Sequence, residues 1–293
     1  MKHVFVVNPA AGKGKALESI PRIQRIFTGR SDEYCIKITE RPCHATEIAA
    51  RYVKNQRCRI YSVGGDGTLN EVLNGMAGSD SSLGIIPCGS GNDFIRSIYP
   101  DSQDTDLLNK TINGKEIQVD IARINDRYFI NISSVGFDAE VVYNIRSIKR
   151  IPGIGGSLAY ILGILITVFK FSGNNLRIDI DGKKIEGKLL LTAIANGRYY
   201  GGGMLPAPEA KIDDGVLDIC MIKPLSKAKI LMLFPKLIKG THGSIKEVCF
   251  DKGKRIEINS TSDLSINIDG EVIRGDKAVF EIIPKGINVI IPE

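Results

Sequence analysis

The sequence has few of the residues that build metal clusters or disulfide frameworks. It contains six cysteines and three histidines in 293 residues, without a C-x-x-C pair and without regular spacing. Structural zinc sites and small disulfide-rich domains need such residues in clusters, so both are excluded. The first residues, MKHVFVVNP, also lack an apolar stretch of signal-peptide length. These absences favour a reduced protein in the cytoplasm.

A strong charge bias is missing as well. The formal net charge is +6, and no groove-like pattern of basic and aromatic residues is evident. This predicts that the protein does not bind nucleic acid. The mild positive excess is compatible with attraction to phosphates or to an anionic surface, and it does not decide between them. The length allows one large domain or two ordinary ones.

Long hydrophobic runs are scarce. Residues 151–169 carry no charge and approach the roughly 20 residues that cross a bilayer. Because Pro152 and several glycines interrupt the run, we expect a buried or surface-docking helix, with a membrane span as the alternative. The stretch Ser226–Ile245 interleaves apolar residues with lysines. Both segments fit contact with an anionic lipid surface, and packing against the sheets is the alternative for each.

The first third of the chain alternates strand and helix patterns. Apolar runs predict strands at His3–Val7, Glu33–Thr39, Arg59–Val63 and Gly84–Pro87. Apolar residues at helical spacing lie between them, at Leu17–Phe27, Ala45–Val53 and Leu69–Met76. Pro21 leaves the start of the first helix open, since an interior proline would kink it. Alternating strands and helices predict a parallel α/β domain.

Beyond Val119 the pattern becomes antiparallel β. The predicted strands are Tyr128–Ser133, Leu176–Ile180, Leu189–Ala195, Val216–Met221, Arg255–Ile258 and Leu264–Ile268. Asp181-Gly182 and Asp269-Gly270 predict hairpin turns. We therefore expect an α/β nucleotide-binding domain at residues 1–118 and a β-sandwich domain at residues 119–284. Residues 285–293 are a candidate segment for rejoining the first domain.

Three glycine-rich loops each follow a predicted strand. The sharpest is Gly64-Gly65-Asp66-Gly67-Thr68, where glycines permit close approach of the backbone to a ligand and the following helix favours phosphate. Its alternative is a tight turn with Thr68 capping the helix. Asn8–Lys15 offers Lys13 and Lys15 to phosphate oxygens but lacks P-loop spacing. Pro87–Asp93 is the third loop, and the three together indicate a nucleotide polyphosphate site.

These motifs resemble the diacylglycerol kinase catalytic domain family, which includes bacterial lipid kinases and sphingosine kinases. The resemblance is carried by VVNPAAGKGKA, VGGDGTLNEVLNG and GIIPCGSGNDF, then by NISSVGFD, NGRYYGGGMLPAP, DDGVLD and IDGE further along. It covers nearly the whole chain. GGDGT alone also occurs in NAD kinases, but the complete set is more specific.

The resemblance implies roles for individual residues. It assigns ATP binding to Asn8, Pro9, Ala10, Ala11, Gly12, Lys15, Thr39, Gly64, Gly65, Asp66, Gly67, Thr68, Leu69, Asn70, Ser90 and Asn92. It assigns Mg²⁺ binding to the carboxylate of Asp214 and the carbonyl oxygens of Lys211 and Val216. An ordinary acidic turn at Asp213-Asp214-Gly215 is the alternative.

Catalysis is assigned to Asp66 and Glu271. A carboxylate that accepts the proton of a substrate alcohol assists the transfer, and Glu271 follows the second Asp-Gly turn directly. Positioning and neutralisation of charge supply the rest of phosphoryl-transfer catalysis. For Glu271 the alternative is a plain hairpin residue, as at Asp181-Gly182.

The expected function is ATP- and Mg²⁺-dependent phosphorylation of a lipid hydroxyl, with diacylglycerol as the default acceptor. The alternatives are a sphingoid base or phosphatidylglycerol as acceptor, an NAD kinase, and a nucleotide-binding regulator without catalysis. ATP and a lipid are the expected partners, with peripheral contact at the inner face of the membrane. A homodimer is left open.

Overall fold

The computed structural model of the chain describes residues 1–99, 104–148 and 156–293. Its strands are β1 (Lys2–Val7), β2 (Glu33–Ile38), β3 (Cys58–Gly64), β4 (Ser82–Pro87), β5 (Lys115–Ile124), β6 (Arg127–Phe129), β7 (Ile132–Gly136), β8 (Asn174–Ile180), β9 (Lys183–Leu189), β10 (Leu191–Ala195), β11 (Leu217–Ile222), β12 (Val248–Gly253), β13 (Arg255–Ile268) and β14 (Glu271–Ile291). Its helices are α1 (Ser19–Phe27), α2 (His44–Asn55), α3 (Asp66–Met76), α4 (Ile95–Ile98), α5 (Leu107–Asn113), α6 (Phe137–Ile148), α7 (Gly156–Lys170) and α8 (Lys227–Lys239).

The first part of the chain is the predicted parallel α/β unit. Strands β2, β1, β3 and β4 lie side by side in parallel. The central strands are buried on both faces, which is why they read as continuous apolar runs. Helix α3 buries Leu69, Val72, Leu73 and Met76, the face that its spacing predicts. All four predicted strands of this part are confirmed.

The first helix begins later than the apolar spacing implies. A short 3₁₀ segment, Ala11–Glu18, precedes α1 and contains three residues with positive φ. Pro21 therefore lies in the first turn of α1, where its missing N–H costs no hydrogen bond. Leu17 is 40% exposed, so its predicted place on the buried face of the helix is wrong.

The second part is antiparallel, as predicted, but several strand bounds differ. Tyr128–Ser133 is split between β6 and β7 because the N–H groups of Ile130 and Ile132 bond the Asp269 side chain instead of a neighbouring strand. Leu189–Ala195 is divided at Leu190, whose N–H turns to the carbonyl oxygen of Ile222. The two runs between Arg255 and Ile268 form the single strand β13, with a shift of register after Asn259.

Both Asp-Gly turns are confirmed. Asp181 and Gly182 join β8 to β9, and Asp269 and Gly270 join β13 to β14. The φ angles are 49° and 91° in the first turn and 46° and 93° in the second. Two consecutive positive φ angles give the mirror-image turn whose twist matches a hairpin, and Asp-Gly supplies them at low cost.

Strand β14 connects the two parts of the chain. Its first half pairs with β13, while Asn288 and Val289 pair in parallel with Ser82 and Leu83 of β4. One sheet therefore runs in the order β12-β11-β10-β7-β13-β14-β4-β3-β1-β2. The predicted boundary at residue 118 falls within β5, which pairs with β14. The division into domains at that point stays a prediction.

The long hydrophobic run is only partly described. Residues 151–155 lie outside the described residues, and the rest of the run belongs to α7. No helix in the described ranges has both the length and the apolar character to cross a membrane.

Candidate active site

The three glycine-rich loops meet at the carboxyl edge of β1, β3 and β4. The Asn8 amide donates a hydrogen bond of 2.9 Å to the Thr68 hydroxyl, which joins the first loop to α3. The Asn8 N–H bonds the carbonyl oxygen of Val63 at 3.0 Å. The N–H of Cys88 bonds the carbonyl oxygen of Gly64 at 2.7 Å and joins the third loop to the second. Parallel strands end at the same edge, so loops far apart in sequence become neighbours.

Glycines are required where these loops touch. A Cβ on Gly12 would lie 2.2 Å from the carbonyl oxygen of Cys88, and the φ of Gly12 is +60°. A Cβ on Gly89 would lie 2.5 Å from the Cα of Gly65. No larger residue fits at these contacts, so the close approach of the loops depends on glycine.

Asp66 connects the second loop to the third. As the first residue of α3, it accepts hydrogen bonds from the backbone N–H groups of Asn92 at 2.9 Å and Asp93 at 2.8 Å. The side chain of Asn92 closes the third loop on itself through both polar groups of the Gly89 backbone. Asp66 therefore holds the shape of the loop.

The other residues of the predicted ATP site lie around this edge. Thr39 is buried directly after β2, and its N–H bonds the carbonyl oxygen of Val7. Lys15 and Ser90 are exposed and extend from the first and third loops. Pro9, Ala10 and Ala11 form the turn after β1, where the N–H of Ala10 bonds the Asn8 side chain. The exposed Gly67 and the buried Leu69 lie in the first turn of α3.

Asn70 is placed differently from the rest of the predicted ATP site. It is 1% exposed, and its amide donates to the carbonyl oxygen of Tyr128 and to Asp269 Oδ2, both at 3.1 Å. The side chain therefore links α3 to the β13–β14 turn instead of the glycine-rich loops.

An apolar cavity of about 380 Å³ begins at the loops. At one end it is lined by Asp66, Ser90, Gly91, Asp93, Asp269 and Gly270. The rest of the described lining is largely aliphatic and aromatic and comes from α6, α7, α8 and the sheet, including Val141, Ile164, Leu191, Ile222, Leu233 and Leu237. The arrangement places the edge formed by the three loops beside an apolar cavity.

Glu271 lies at the border of this cavity. Gly270 lines it, whereas the Glu271 carboxylate is held at 2.6 Å by the guanidinium of Arg127 on β6. Both side chains are 37% exposed. Arg127 reaches this position because β6 is fastened to α3 by Asn74, which accepts from the N–H of Tyr128 and donates to its carbonyl oxygen. The structure thus places Glu271 next to a lining residue, while its own carboxylate is paired with a cation and is not part of the lining.

Three further carboxyl groups line the cavity and were not predicted as site residues. Burial raises the pKa of Asp93 to about 6. Hydrogen bonds from the Gly202 backbone act in the opposite direction and lower the pKa. Burial also raises the pKa of Asp269 to about 6, and it raises the pKa of Asp138. Perturbed carboxyl groups in a cleft mark candidate functional positions. Asp93 belongs to GSGNDF, Asp138 to NISSVGFD and Asp269 to IDGE. Their place in these motifs is the signal that could have identified them as site residues from the sequence.

The predicted Mg²⁺ residues lie on the turn before β11. Asp120, 1% exposed, fixes this turn by accepting from the N–H groups of Gly215 and Lys285, each at 2.7 Å. The Lys252 ammonium lies 3.6 Å from the Asp214 carboxylate and balances its charge. One carboxylate with backbone carbonyl oxygens is a donor set that fits Mg²⁺. In the described part of the chain, no group of three or more His, Cys, Asp or Glu residues is suited to a metal.

Comparison with known proteins agrees with this architecture. Residues 2–124 match the diacylglycerol kinase catalytic domain, and residues 131–291 match the YegS C-terminal NAD kinase beta sandwich-like domain. A diacylglycerol kinase of Bacillus subtilis (strain 168) is 28% identical over 292 residues, covering 99% of this chain and 96% of that protein. One of Staphylococcus haemolyticus (strain JCSC1435) is 31% identical over 291 residues, covering 99% and 88%.

Solved structures show the same fold. The crystal structure of a putative diacylglycerol kinase from Bacillus anthracis str. Sterne superposes with a TM-score of 0.74 at 24% identity, covering 99% of this chain and 96% of that chain. A second structure from the same organism has a TM-score of 0.71. The two family domains follow one another along the chain, and the similarity to the relatives extends over nearly its whole length. This chain therefore belongs to the diacylglycerol kinase family of bacterial lipid kinases.

Proposed function

We propose that this lipid kinase transfers the γ-phosphate of ATP to the hydroxyl of diacylglycerol and forms phosphatidic acid. The observation that carries the proposal is the apolar cavity whose polar end is built from the phosphate-type loops. Asp66, Ser90 and Gly91 line the same cavity as Leu233 and Leu237 of α8. A nucleotide at the loops and a lipid chain in the cavity would bring their reacting groups together.

The ATP polyphosphate would lie against the three loops. Gly12, Gly65 and Gly89 keep the backbone open there, and the N-terminus of α3 adds the positive end of its dipole. Lys15 extends from the first loop, exposed and able to reach a phosphate oxygen. The remaining predicted ATP residues would complete this edge, except Asn70, whose amide bonds the Tyr128 carbonyl and Asp269 at the β13–β14 turn.

Glu271 would act as the general base and Asp66 as the residue that orders the phosphate side of the site. To accept the proton of the acceptor hydroxyl, the Glu271 carboxylate must exchange the Arg127 guanidinium for that hydroxyl. Asp66 keeps two N–H groups of the third loop in place. A loop held in this way needs no reorganisation as charge develops during transfer.

Mg²⁺ would be held by Asp214 with the carbonyl oxygens of Lys211 and Val216. Mg²⁺ would supply positive charge there, either to neutralise phosphate oxygen atoms or to brace the turn. The chain's own contribution is the rigid turn, which Asp120 anchors to β5 and to the segment at Lys285.

Peripheral contact with the inner face of the membrane would deliver the lipid. Leu231, Met232 and Ile238 of α8 are 50%, 67% and 58% exposed, and lysines alternate with them along the helix. An exposed apolar stripe with basic residues matches an anionic bilayer surface. A cytoplasmic protein that binds reversibly fits this surface, and a homodimer is compatible with it.

Other acceptors remain as alternatives. A sphingoid base or phosphatidylglycerol has a hydroxyl and a hydrocarbon chain and would use the same cavity. NAD would leave that cavity empty, so the apolar lining favours a lipid. A nucleotide-binding regulator would need neither Glu271 nor the cavity.

The test is transfer of label from γ-labelled ATP to diacylglycerol, phosphatidylglycerol and sphingosine in mixed micelles, with NAD in parallel, with Mg²⁺ or with chelator. We expect labelled phosphatidic acid only with Mg²⁺, and a loss of about a hundredfold or more in kcat for Glu271→Gln with ATP binding retained. Glu281→Gln is the matched control, since Glu281 also lies on β14 and pairs at 2.6 Å with an arginine, Arg123 of β5.

Each other outcome assigns a different function. Label only in another lipid changes the acceptor, and label only in NADP makes the protein an NAD kinase. ATP binding without transfer to any acceptor, unchanged by Glu271→Gln, would support the regulator and refute the proposal.

A further inference from the structure

One carboxyl group of the apolar cavity has an oxygen atom that no described protein group satisfies. Asp138, at the start of α6, lines the cavity, and its Oδ2 accepts a hydrogen bond from the Ser134 hydroxyl. Its Oδ1 is buried and has no hydrogen-bond partner among the described residues. A buried polar atom without a partner costs free energy, and a ligand that supplies the partner recovers it.

The other carboxyl groups in the described lining already use both of their oxygen atoms. Asp66 accepts one backbone N–H group on each oxygen. Asp269 accepts from the protein at both oxygens as well. Both oxygens of Asp93 accept from the N–H group of Gly202. Within the described lining, Asp138 is therefore the carboxyl group that has an oxygen left for a ligand.

We propose that Asp138 binds an ester carbonyl of the acceptor lipid by donating a hydrogen bond from its protonated Oδ1. Asp138 thereby selects glycerolipids with ester-linked chains over lipid alcohols that lack a carbonyl group. It is a binding contact, separate from the residues assigned to phosphate transfer. This inference rests on the proposed function and names the feature of the acceptor that the cavity recognises.

The surroundings of Asp138 favour a neutral carboxyl group. Burial raises the pKa of Asp138, whereas the Ser134 hydroxyl, the Asn267 side chain and the first N–H groups of α6 act to lower it. Helices α7 and α8 contribute only uncharged residues to the described lining. The remaining charged residues of that lining are all acidic, namely Asp66, Asp93 and Asp269. Since no cation is among them, burial prevails and the Asp138 carboxyl keeps its proton.

The hydrogen bond from Ser134 decides which oxygen of Asp138 carries that proton. Because Ser134 donates to Oδ2, Oδ2 is the acceptor of the carboxyl group and Oδ1 carries the O–H group. Asp138 in this state offers a hydrogen-bond donor to the cavity. The strong acceptor that a diacylglycerol carries along with its hydroxyl is an ester carbonyl, so the two groups are complementary.

Asp138 is also connected to the turn that precedes the proposed general base. Ser134 on β7 pairs with Asn267 on β13. The Asn267 side chain accepts the N–H of Gly270 at 2.9 Å, directly before Glu271. In a diacylglycerol only a few bonds separate the free hydroxyl from the nearest ester carbonyl. A lipid whose hydroxyl lies at this turn therefore places its carbonyl on the side of Asp138.

The experiment compares two acceptors that differ in their carbonyl groups, dioctanoylglycerol and its ether analogue dioctylglycerol. The measured quantity is kcat/KM for the ester lipid divided by kcat/KM for the ether lipid. The wild type should prefer the ester lipid by about tenfold, the effect of one hydrogen bond to a buried group. Asp138→Leu should abolish this preference, because it removes the donor and replaces it with an apolar side chain.

Asp138→Asn tests the protonation state. The amide oxygen of asparagine can accept from Ser134 while its NH₂ group donates to the carbonyl, so this variant should keep the preference of the wild type. Glu140→Leu is the matched control, since Glu140 also lies in the first turn of α6 but bonds Ser265 and is outside the described lining. It should keep the preference as well. Each ratio is taken on one protein sample, so a partial loss of folded protein cancels.

Two results would overturn the inference. Wild-type preference in Asp138→Leu would reduce Asp138 to a structural group at the start of α6. Loss of preference in Asp138→Asn would show that an ionised carboxylate is required, which contradicts donation from Oδ1.

A binding measurement without ATP separates this inference from the proposed function. Tritium-labelled dioctanoylglycerol is displaced with unlabelled ester or ether lipid, and the ratio of the two competitor concentrations should follow the same pattern across the variants. If this pattern holds but no lipid is phosphorylated, the proposed function fails and the Asp138 contact stands. If lipid is phosphorylated but the wild type and Asp138→Leu give equal ratios, or if neither lipid binds, the contact fails.

Discussion

Asp269 carries both a structural and an electrostatic role in the site. Its carboxylate accepts hydrogen bonds from the N–H groups of Ile130 and Ile132 and from the Asn70 amide. It thereby fixes the turn that leads into Glu271 and joins that turn to α3. Burial nevertheless disfavours its charge and raises its pKa to about 6. The protein holds an ionised group here at a cost in stability, as is common at functional sites.

The Asp269→Asn variant tests this cost through its pH dependence. The folded pKa of about 6 lies above the ordinary aspartate pKa of 3.8, so the carboxyl contributes most stability when protonated and loses it as pH rises through 6. The free energy of unfolding of the wild type relative to the variant should be highest below pH 4. It should fall by at most about 3 kcal/mol by pH 7, measured by urea unfolding across this range.

Asp181→Asn is the matched control. Asp181 occupies the other Asp-Gly turn and also accepts two backbone N–H groups, but it is exposed. Its difference from the wild type measures the loss of two backbone hydrogen bonds at an exposed Asp-Gly turn. A flat difference for Asp269→Asn would contradict a pKa raised by burial.

At the scale of elements, the loop after β1 shows what the glycine-rich motif requires. Gly12, Lys13 and Gly14 all have positive φ, so the chain coils to the left before α1 begins. This conformation brings Gly12 against Cys88 and lets the first loop close on the third. The surface of backbone groups at this edge is therefore formed jointly by the loops after β1, β3 and β4.

Replacing Gly12 by alanine should disrupt this contact. Its Cβ would lie 2.2 Å from the Cys88 oxygen, so one loop must move. We expect the Kd for ATP, measured by calorimetry, to rise about tenfold or more, the equivalent of about 1.4 kcal/mol. Gly14→Ala shares the positive φ but meets no atom within 4 Å, so it separates backbone strain from the clash. Equal effects of the two substitutions would refute the role of the contact.

At the scale of the whole molecule, the cavity and the exposed face of α8 lie on the two sides of one helix. Apolar residues of α7 add to the exterior, where Phe169 is 64% exposed with the Lys227 ammonium 4.5 Å from its ring centre. The molecule thus offers an apolar and basic surface next to the walls of its lipid-sized cavity. A bilayer contacting this surface would present lipid close to the site.

The Met232→Glu variant tests this surface. Met232 is 67% exposed, so the substitution should leave the fold intact while it adds a negative charge to the membrane face. In sedimentation with vesicles of phosphatidylglycerol and phosphatidylcholine, binding should weaken roughly tenfold. Ile117→Glu is the control, since Ile117 is 39% exposed and lies on β5, a strand that pairs with β14 and β6. Unchanged binding by Met232→Glu would exclude this face.

Much of the fold was readable from local patterns. The strands β1, β3 and β4 are buried on both faces, and the turns at Asp181 and Asp269 need positive φ angles, so apolar runs and Asp-Gly pairs marked them directly. The bounds that failed depend on distant partners. Ile130 and Ile132 leave the strand ladder because Asp269, more than a hundred residues away, takes their N–H groups.

The sequence by itself located the strands β1 to β4, part of the antiparallel strands and both Asp-Gly turns, and its motifs located the three loops and the kinase family. The tertiary structure alone decided that β14 joins both parts in one sheet, that Arg127 pairs with Glu271, and that α8 lines a cavity of about 380 Å³. Local patterns record which face of an element is apolar. Packing between residues far apart in the chain decides which partner covers that face. The same packing sets the depth of a cavity and the pKa of a carboxyl group within it.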